Sequence, residues 1–194
     1  HPNVVAIYDV NAVDDRPYIA MELLNGQSLR AWNQQRMREG VDCPFGDALG
    51  HVRQICKGLA AIHDTGMVHR DLKPENVFLL DEARPDGTTL KIMDLGVARA
   101  MGGLDTSSTS MGTLEYMAPE MMTAPQAAQP SADIFSLCVI LYELLVGVVP
   151  KGHWQPPSEG RLDIPAGVDK LIERGLSNNP RSRQASVEVF IADL

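Results

Sequence analysis

The sequence contains no cluster of lysine and arginine, and its 17 basic side chains are outnumbered by 25 acidic ones, giving a formal charge of −8. Binding to a nucleic-acid backbone rests on grouped cations, so this balance argues against nucleic acid as a partner. An acidic surface suits basic peptides or plain solubility. Cysteine is scarce as well: Cys43, Cys56 and Cys138 show no C-x-x-C spacing, and three thiols cannot close a disulfide set. Buried thiols in a reducing, cytoplasmic setting are the expectation. No long apolar run is present. The most apolar stretch, residues 134–149, is interrupted by Ser136, Glu143 and Gly147 and falls short of the ~20 residues a membrane span needs. It reads as the core helix of a soluble domain, with no membrane contact expected from this segment. The chain also lacks an initiating Met, a signal peptide and any internal repeat, which reads as a fragment or a processed product.

What is there is ordinary for one globular domain with a real core: 194 residues, 44% hydrophobic and 22% charged. Residues 4–10 and 17–23 are apolar runs containing β-branched side chains, separated by a polar stretch, 11–16, which predicts a β-hairpin with a longer loop. Ser28 is the expected N-cap of a short helix over 29–38. A loop over 39–46 follows. From 47 to 65, Val52, Ile55, Cys56, Leu59, Ile62 and His63 recur at spacings of three and four, the mark of an amphipathic helix that Gly66 ends. Short strands are expected at 77–80 and 89–93 around Pro85-Asp86-Gly87. Residues 98–111, rich in Gly, Ser and Thr, read as a loop. The stretch 149–165 is rich in proline, and helices over 168–176 and 185–194 close the chain. A strand pair followed mostly by helices argues α+β.

The chemistry concentrates in His69-Arg70-Asp71-Leu72-Lys73-Pro74-Glu75-Asn76, followed by Asp94-Leu95-Gly96 and then Ala118-Pro119-Glu120. Phosphoryl transfer needs positioned phosphates, cations against the developing charge, and an acceptor hydroxyl held in line. Asp71 is the candidate base for that hydroxyl. Lys73, two residues on, can reach the transferred phosphate if the loop is extended. Asn76 and Asp94 offer hard oxygen ligands suited to Mg²⁺, with Mn²⁺ possible in its place. Gly96 permits the unusual backbone of such a loop.

These three ordered motifs resemble the catalytic loop, the DFG element and the APE end of the activation segment of eukaryotic-type serine/threonine protein kinases. The resemblance runs the length of the chain. It implies a protein-kinase-like α+β fold, with residues 1–24 as the last two strands and hinge of the N-terminal lobe. Residues 25–194 would form the C-terminal lobe, with the catalytic loop at 69–76 and the activation segment at 94–120. By resemblance Asp71 is the catalytic aspartate, Asn76 and Asp94 are the two metal ligands, and Lys73 marks the serine/threonine form. Thr113, in the stretch 112–120 that resembles the substrate-binding loop, would bond Asp71 and Lys73. Arg70 resembles the arginine that pairs with a phosphorylated activation loop, and Thr106, Ser107, Ser108, Thr109 and Ser110 are the candidate phosphosites. Met21 resembles the gatekeeper, the backbones of Glu22 and Leu24 the adenine contacts, and Phe78 the floor under the purine. Asp133 resembles the aspartate that caps the central helix and holds the backbone at His69 and Arg70. Glu120 is expected to pair with Arg183, and His51 and His63 to be structural. The resemblance also implies ATP and a protein substrate carrying a Ser or Thr acceptor.

Departures from the family pattern are few. Leu95 replaces the commoner Phe, Cys138 stands where Gly is usual and Phe135 where Trp is usual. The region 149–160 is short, which puts the family's helix there in doubt. The glycine-rich phosphate loop and the strand lysine would lie before His1, so the 194 residues alone are expected to show little activity. The compact loops and the neighbourhood of Asn179-Pro180 are similar to bacterial members. Two alternatives stand beside the kinase reading. One is a non-catalytic binding module of the same fold. The other is a small-molecule phosphotransferase, which would generally lack the 112–120 segment.

Overall fold

In a computed structural model, which describes residues 1–14, 16–94 and 113–194, the chain opens with an antiparallel ribbon of β1 (Ile7–Val13) and β2 (Arg16–Met21). The polar stretch expected to be a loop is largely paired, with Asn11 opposite Tyr18, Ala12 opposite Pro17 and Val13 opposite Arg16. Most of the ribbon is exposed, so polar residues extend it as readily as apolar ones. The chain turns at Asp14, whose φ of 50° is the left-handed backbone that tight hairpins use. The start of the expected first strand belongs elsewhere. Val5 N–H donates to the Ile92 carbonyl at 2.9 Å, and Ile92 N–H donates to the Asn3 carbonyl at 2.8 Å, so residues 3–5 run parallel to β5 instead.

A second sheet orders β3 (Gly26–Ser28), β4 (Val77–Leu80) and β5 (Leu90–Ile92) antiparallel with β4 in the middle. Gly26 makes the first pairing possible. Its φ is 145°, and a Cβ there would lie 1.9 Å from the Leu79 carbonyl oxygen. Helix α1 (Leu29–Arg38) follows at once, and Ser28 caps it as expected by accepting from Ala31 N–H at 3.1 Å. Helix α2 (Phe45–His63) starts two residues before the periodic pattern, directly after Pro44. It buries Ala48, Val52, Ile55, Cys56, Leu59 and Ile62 along one stripe. Gly66, at φ 77°, closes it by donating to the His63 carbonyl.

Helix α3 (Pro119–Thr123) leads to the central helix α4 (Pro130–Val146). The apolar run placed this helix at 134–149, and both ends move in the structure. Pro130 sits in the first turn with its φ already helical, and Gly147 at φ 83° donates to the Glu143 carbonyl to terminate it. From Ala132 to Leu145 every residue but Phe135 is buried. Among the described residues no helix is long and apolar enough to cross a membrane.

The one-turn α5 (Pro157–Gly160) is all the helix in the shortened region, as the sequence suggested. Helices α6 (Ala166–Gly175) and α7 (Val187–Asp193) complete the core: α4 packs on α2 and α6, and α2 packs on α7. The thiol of Cys138 occupies the space over Gly175, where a Cβ would lie 2.0 Å from Sγ. All three cysteines are free and buried, and burial pushes the thiols up, to about 11 for Cys43 and about 12 for Cys56, leaving them poor nucleophiles.

Candidate active site

The loop between α2 and β4 carries Asp71, and its shape is fixed from the central helix. Asp133, buried in the first turns of α4, accepts from His69 N–H at 2.8 Å on Oδ2 and from Arg70 N–H at 2.9 Å on Oδ1. Its Oδ2 also meets His63 Nε2 at 2.7 Å, so His63 has a structural partner, as expected. Asp133 therefore holds the loop but does not cap its own helix. The N-cap position is Gln129, four residues earlier, and it makes no side-chain cap bond. Arg70 has a φ of 68°, a left-handed conformation that costs a non-glycine residue ~1–2 kcal/mol and that the Asp133 bond offsets. His69 Nε2 lies 2.8 Å from the Met93 carbonyl, which ties the loop to the strand end just before Asp94.

Within that frame three of the expected site residues converge. Lys73 Nζ stands 3.0 Å from Asp71 Oδ2. Asn76 Nδ2 donates to the Asp71 carbonyl at 2.8 Å and to Asp71 Oδ2 at 3.2 Å. The amide hydrogens of Asn76 are thereby spent on Asp71, leaving Oδ1 for a cation. The register of β4 and β5 sets Asn76 opposite Met93, whose N–H donates to the Asn76 carbonyl at 2.8 Å, so Asp94 follows next to it. Asp94 is exposed and has a φ of 54°. Thr113 begins a 3₁₀ turn (Thr113–Tyr116), but its expected bonds to Asp71 and Lys73 lie outside the described residues. So do Leu95, Gly96 and the five candidate phosphosites, Thr106, Ser107, Ser108, Thr109 and Ser110.

Met21, Glu22 and Leu24, expected at the hinge, are half-buried, and Phe78 is half-buried in β4, paired with Ser28 and Lys91. Glu22 N–H donates to the Ala6 carbonyl at 2.9 Å. Its carboxylate joins Lys91 Nζ at 2.9 Å and Arg84. Burial raises that carboxyl, but the bonds from Lys91, Ala6 and Arg84 outweigh it and hold Glu22 below the usual range. Glu120 pairs with Arg183 in a fork, Oε1 to Nη1 at 2.7 Å and Oε2 to Nη2 at 2.8 Å. The guanidinium is fully buried, bonds the Ser131 and Ser177 carbonyls, and lies 5.0 Å over the Phe135 ring. Phe135 thus meets a cation with an aromatic face.

A second polar cluster, buried at Tyr116 and Glu143, went unseen in the sequence. Arg30, at the start of α1, bonds Glu75 at 2.9 Å, Glu143 Oε1 and the Tyr116 hydroxyl, while Tyr116 donates to Glu143 Oε2 at 2.6 Å. Burial, then the bond to Glu143, pushes the Tyr116 phenol far above its ordinary value. Burial works against the Arg30 charge, but Glu75, Tyr116 and Glu143 outweigh it and raise its pKa. One signal could have found the cluster. Glu143 is a lone acid inside an apolar helix, and a buried carboxylate needs a partner.

A short sheet, a helical body and an Asp–Lys–Asn constellation on the loop between them define the class, and residues 1–191 match the protein kinase domain family. The chain belongs to that family. It is 34% identical to the serine/threonine-protein kinase Pkn1 of Myxococcus xanthus over 98% of its own length, and 31% identical to PknL of Mycobacterium tuberculosis, again over 98%. It spans only 29% of Pkn1 and 49% of PknL. Among solved structures, the kinase domain of M. tuberculosis PknI superposes with a TM-score of 0.77 at 25% identity, covering all of this chain and 71% of that one.

Proposed function

We propose that this chain is the catalytic part of a serine/threonine protein kinase that moves the γ-phosphoryl group of ATP to a Ser or Thr hydroxyl of a protein. The supporting observation is the Asp71 carboxylate, which is held by Lys73 at 3.0 Å and by the Asn76 amide at 3.2 Å. Asp71 orients the acceptor hydroxyl and takes its proton as the new O–P bond forms and the bond from the γ-phosphorus to the bridging oxygen of ADP breaks. Lys73 stays with the γ-phosphate oxygens and offsets their charge. Asn76 Oδ1 and the Asp94 carboxylate are the oxygen donors for Mg²⁺, with Mn²⁺ as substitute, and that cation supplies charge neutralisation on the phosphates. Two protein oxygens beside substrate phosphates is the ligation Mg²⁺ favours over an all-protein cage.

Residues 1–24 serve as the end of the small lobe and the hinge. Met21 is the gatekeeper, and adenine bonds the backbone at Glu22 and Leu24, falling to the Glu22 carbonyl because its N–H is engaged with Ala6. Phe78 lies under the purine. Thr113 sits with Asp71 and Lys73 at the acceptor, and Arg70 answers a phosphate on one of residues 106–110. The domain works in the cytoplasm on protein substrates. The relatives' own designation as serine/threonine-protein kinases supports this reading, and retention of Asp71, Lys73, Asn76 and Asp94 together speaks against a purely non-catalytic module.

The test is Asp71→Asn in the intact protein, with γ-labelled ATP and a serine peptide. The substitution keeps the shape and removes the base, so the rate should fall on the order of 10²-fold or more. An unchanged rate would remove Asp71 from this role.

A further inference from the structure

We propose that Arg30 is a positioning residue for phosphoryl transfer, a brace that couples the catalytic loop to the Thr113–Tyr116 turn. The inference rests on the kinase reading above. Four residues from four parts of the chain meet here, and one guanidinium is shared among three of its neighbours. Nε donates to Glu75 Oε1 at 2.9 Å, Nη1 to Glu143 Oε1 and Nη2 to the Tyr116 hydroxyl, with the guanidinium 5.3 Å from the centre of the Tyr116 ring. Tyr116 is held at its other end as well, since Ser136 Oγ donates to its carbonyl at 2.8 Å.

The two partners of Arg30 that bear on chemistry belong to the loop that carries Asp71 and to the turn that begins at Thr113. Glu75 belongs to the 3₁₀ turn Pro74–Asn76, between Lys73 and the Asn76 amide that holds Asp71. Tyr116 ends the turn that begins at Thr113. The common support is Glu143, on the rigid central helix. Burial ranks the links. Glu143 and Tyr116 are 7% and 2% exposed, so their bonds are little screened, whereas Glu75 at 47% makes the weaker, solvent-screened arm. A planar fork can serve three acceptors at fixed angles, which a lysine ammonium, as a point charge on a flexible stem, cannot. Arg30 therefore sets the distance between the loop that carries the base and the turn that follows the acceptor site, without touching substrate.

The experiment uses the intact protein with Arg30→Met, Arg30→Lys and Glu75→Gln. Steady-state kinetics with a serine peptide and ATP are paired with amide hydrogen exchange. Arg30→Met should lower kcat/KM for the peptide by about 10-fold or more through misplacement of the acceptor. The KM for ATP should change by less than kcat/KM for the peptide does, because the Tyr116 turn bears on the acceptor alone, and Asn76, on the nucleotide side, keeps its own bonds to Asp71. Arg30→Lys should recover only part of the loss. Exchange should rise at residues 75–76 and 114–117 in Arg30→Met, stay unchanged at 77–80, and rise at 75–76 alone in Glu75→Gln. Peptide kinetics and exchange at wild-type levels in Arg30→Met would overturn the brace, as would a full rescue by lysine. If Arg30→Met fails to fold, Arg30→Lys and Glu75→Gln still decide by exchange at the two turns. A wild-type protein that transfers no phosphate would sink the kinase reading instead, and the exchange pattern would still decide whether Arg30 ties the two segments.

Discussion

Replacing Asp133 by Asn tests how the loop at residues 69–76 is held. The carboxylate accepts from two loop amides, His69 N–H at 2.8 Å and Arg70 N–H at 2.9 Å, and meets His63 Nε2 at 2.7 Å. Hydrogen bonds to a charged acceptor contribute about 1.5–3 kcal/mol each, and a buried donor left without a partner costs about 1–3 kcal/mol. An asparagine keeps one oxygen for one amide but turns an NH₂ group toward the other, so one charge-assisted bond is lost outright and one is weakened. The sum is roughly 3–5 kcal/mol, a large share of the ~5–15 kcal/mol that holds a domain together. Arg70 adds to the effect, because its left-handed backbone is restrained by the bond that asparagine disrupts. Urea unfolding of the intact protein reads this as a midpoint shift at constant slope, on the order of 1 M or more for a slope of ~1–3 kcal/mol per molar. Asp133→Ala, which orphans both amides, should be worse. A loss under about 1 kcal/mol, or an alanine variant more stable than the asparagine one, would show that Asp133 is not what shapes the loop.

Two other expectations follow from the core. The two bonds from Arg183 overcome the effect of burial and keep the Glu120 carboxyl below its ordinary 4.5. A depressed value means that stability is present above pH 4.5 and lost as pH falls through the folded value. Glu120→Gln should thus flatten the acid limb of the stability curve below pH 4.5, measured by thermal unfolding across pH, and an acid limb as steep as wild type would refute the assignment. Gly175→Ala should destabilise by about 1–3 kcal/mol, because its Cβ would sit 2.0 Å from Cys138 Sγ. Adding Cys138→Ala should recover much of that loss, and strictly additive effects in the double variant would argue against the contact.

The convergence of Asp71, Lys73 and Asn76 was legible because these residues lie close together in sequence and each has a distinct chemistry. Ser28 was equally readable, since a cap acts on the amide three residues away. The central helix was misplaced at both ends because hydrophobicity marks what is buried, whereas helix ends are set by backbone geometry. Pro130 and Gly147 carried that information and the apolar run obscured it. The hairpin erred the other way: polarity suggested a loop at 11–16, but an exposed ribbon needs no apolar face in order to pair. The Arg30 cluster escaped for a different reason. Arg30 and Glu143 are 113 residues apart, and both are common types with no motif around them. Only the cost of burying a lone acid in α4 pointed to a partner, and it did not say which.

The two sheets share no strand, and the ribbon reaches the body through the Val4–Ile92 bridge and the charges on Glu22. Those charges form a joint with two unlike halves. Lys91 is 4% exposed, so dissolved ions hardly reach its pairing with Glu22, and that half is little weakened by salt. Arg84 is 41% exposed, and its hold slackens as salt rises. The ribbon is thus hung on one pairing that salt weakens little and steadied by another that it weakens more, so added salt should act on the Arg84 arm first.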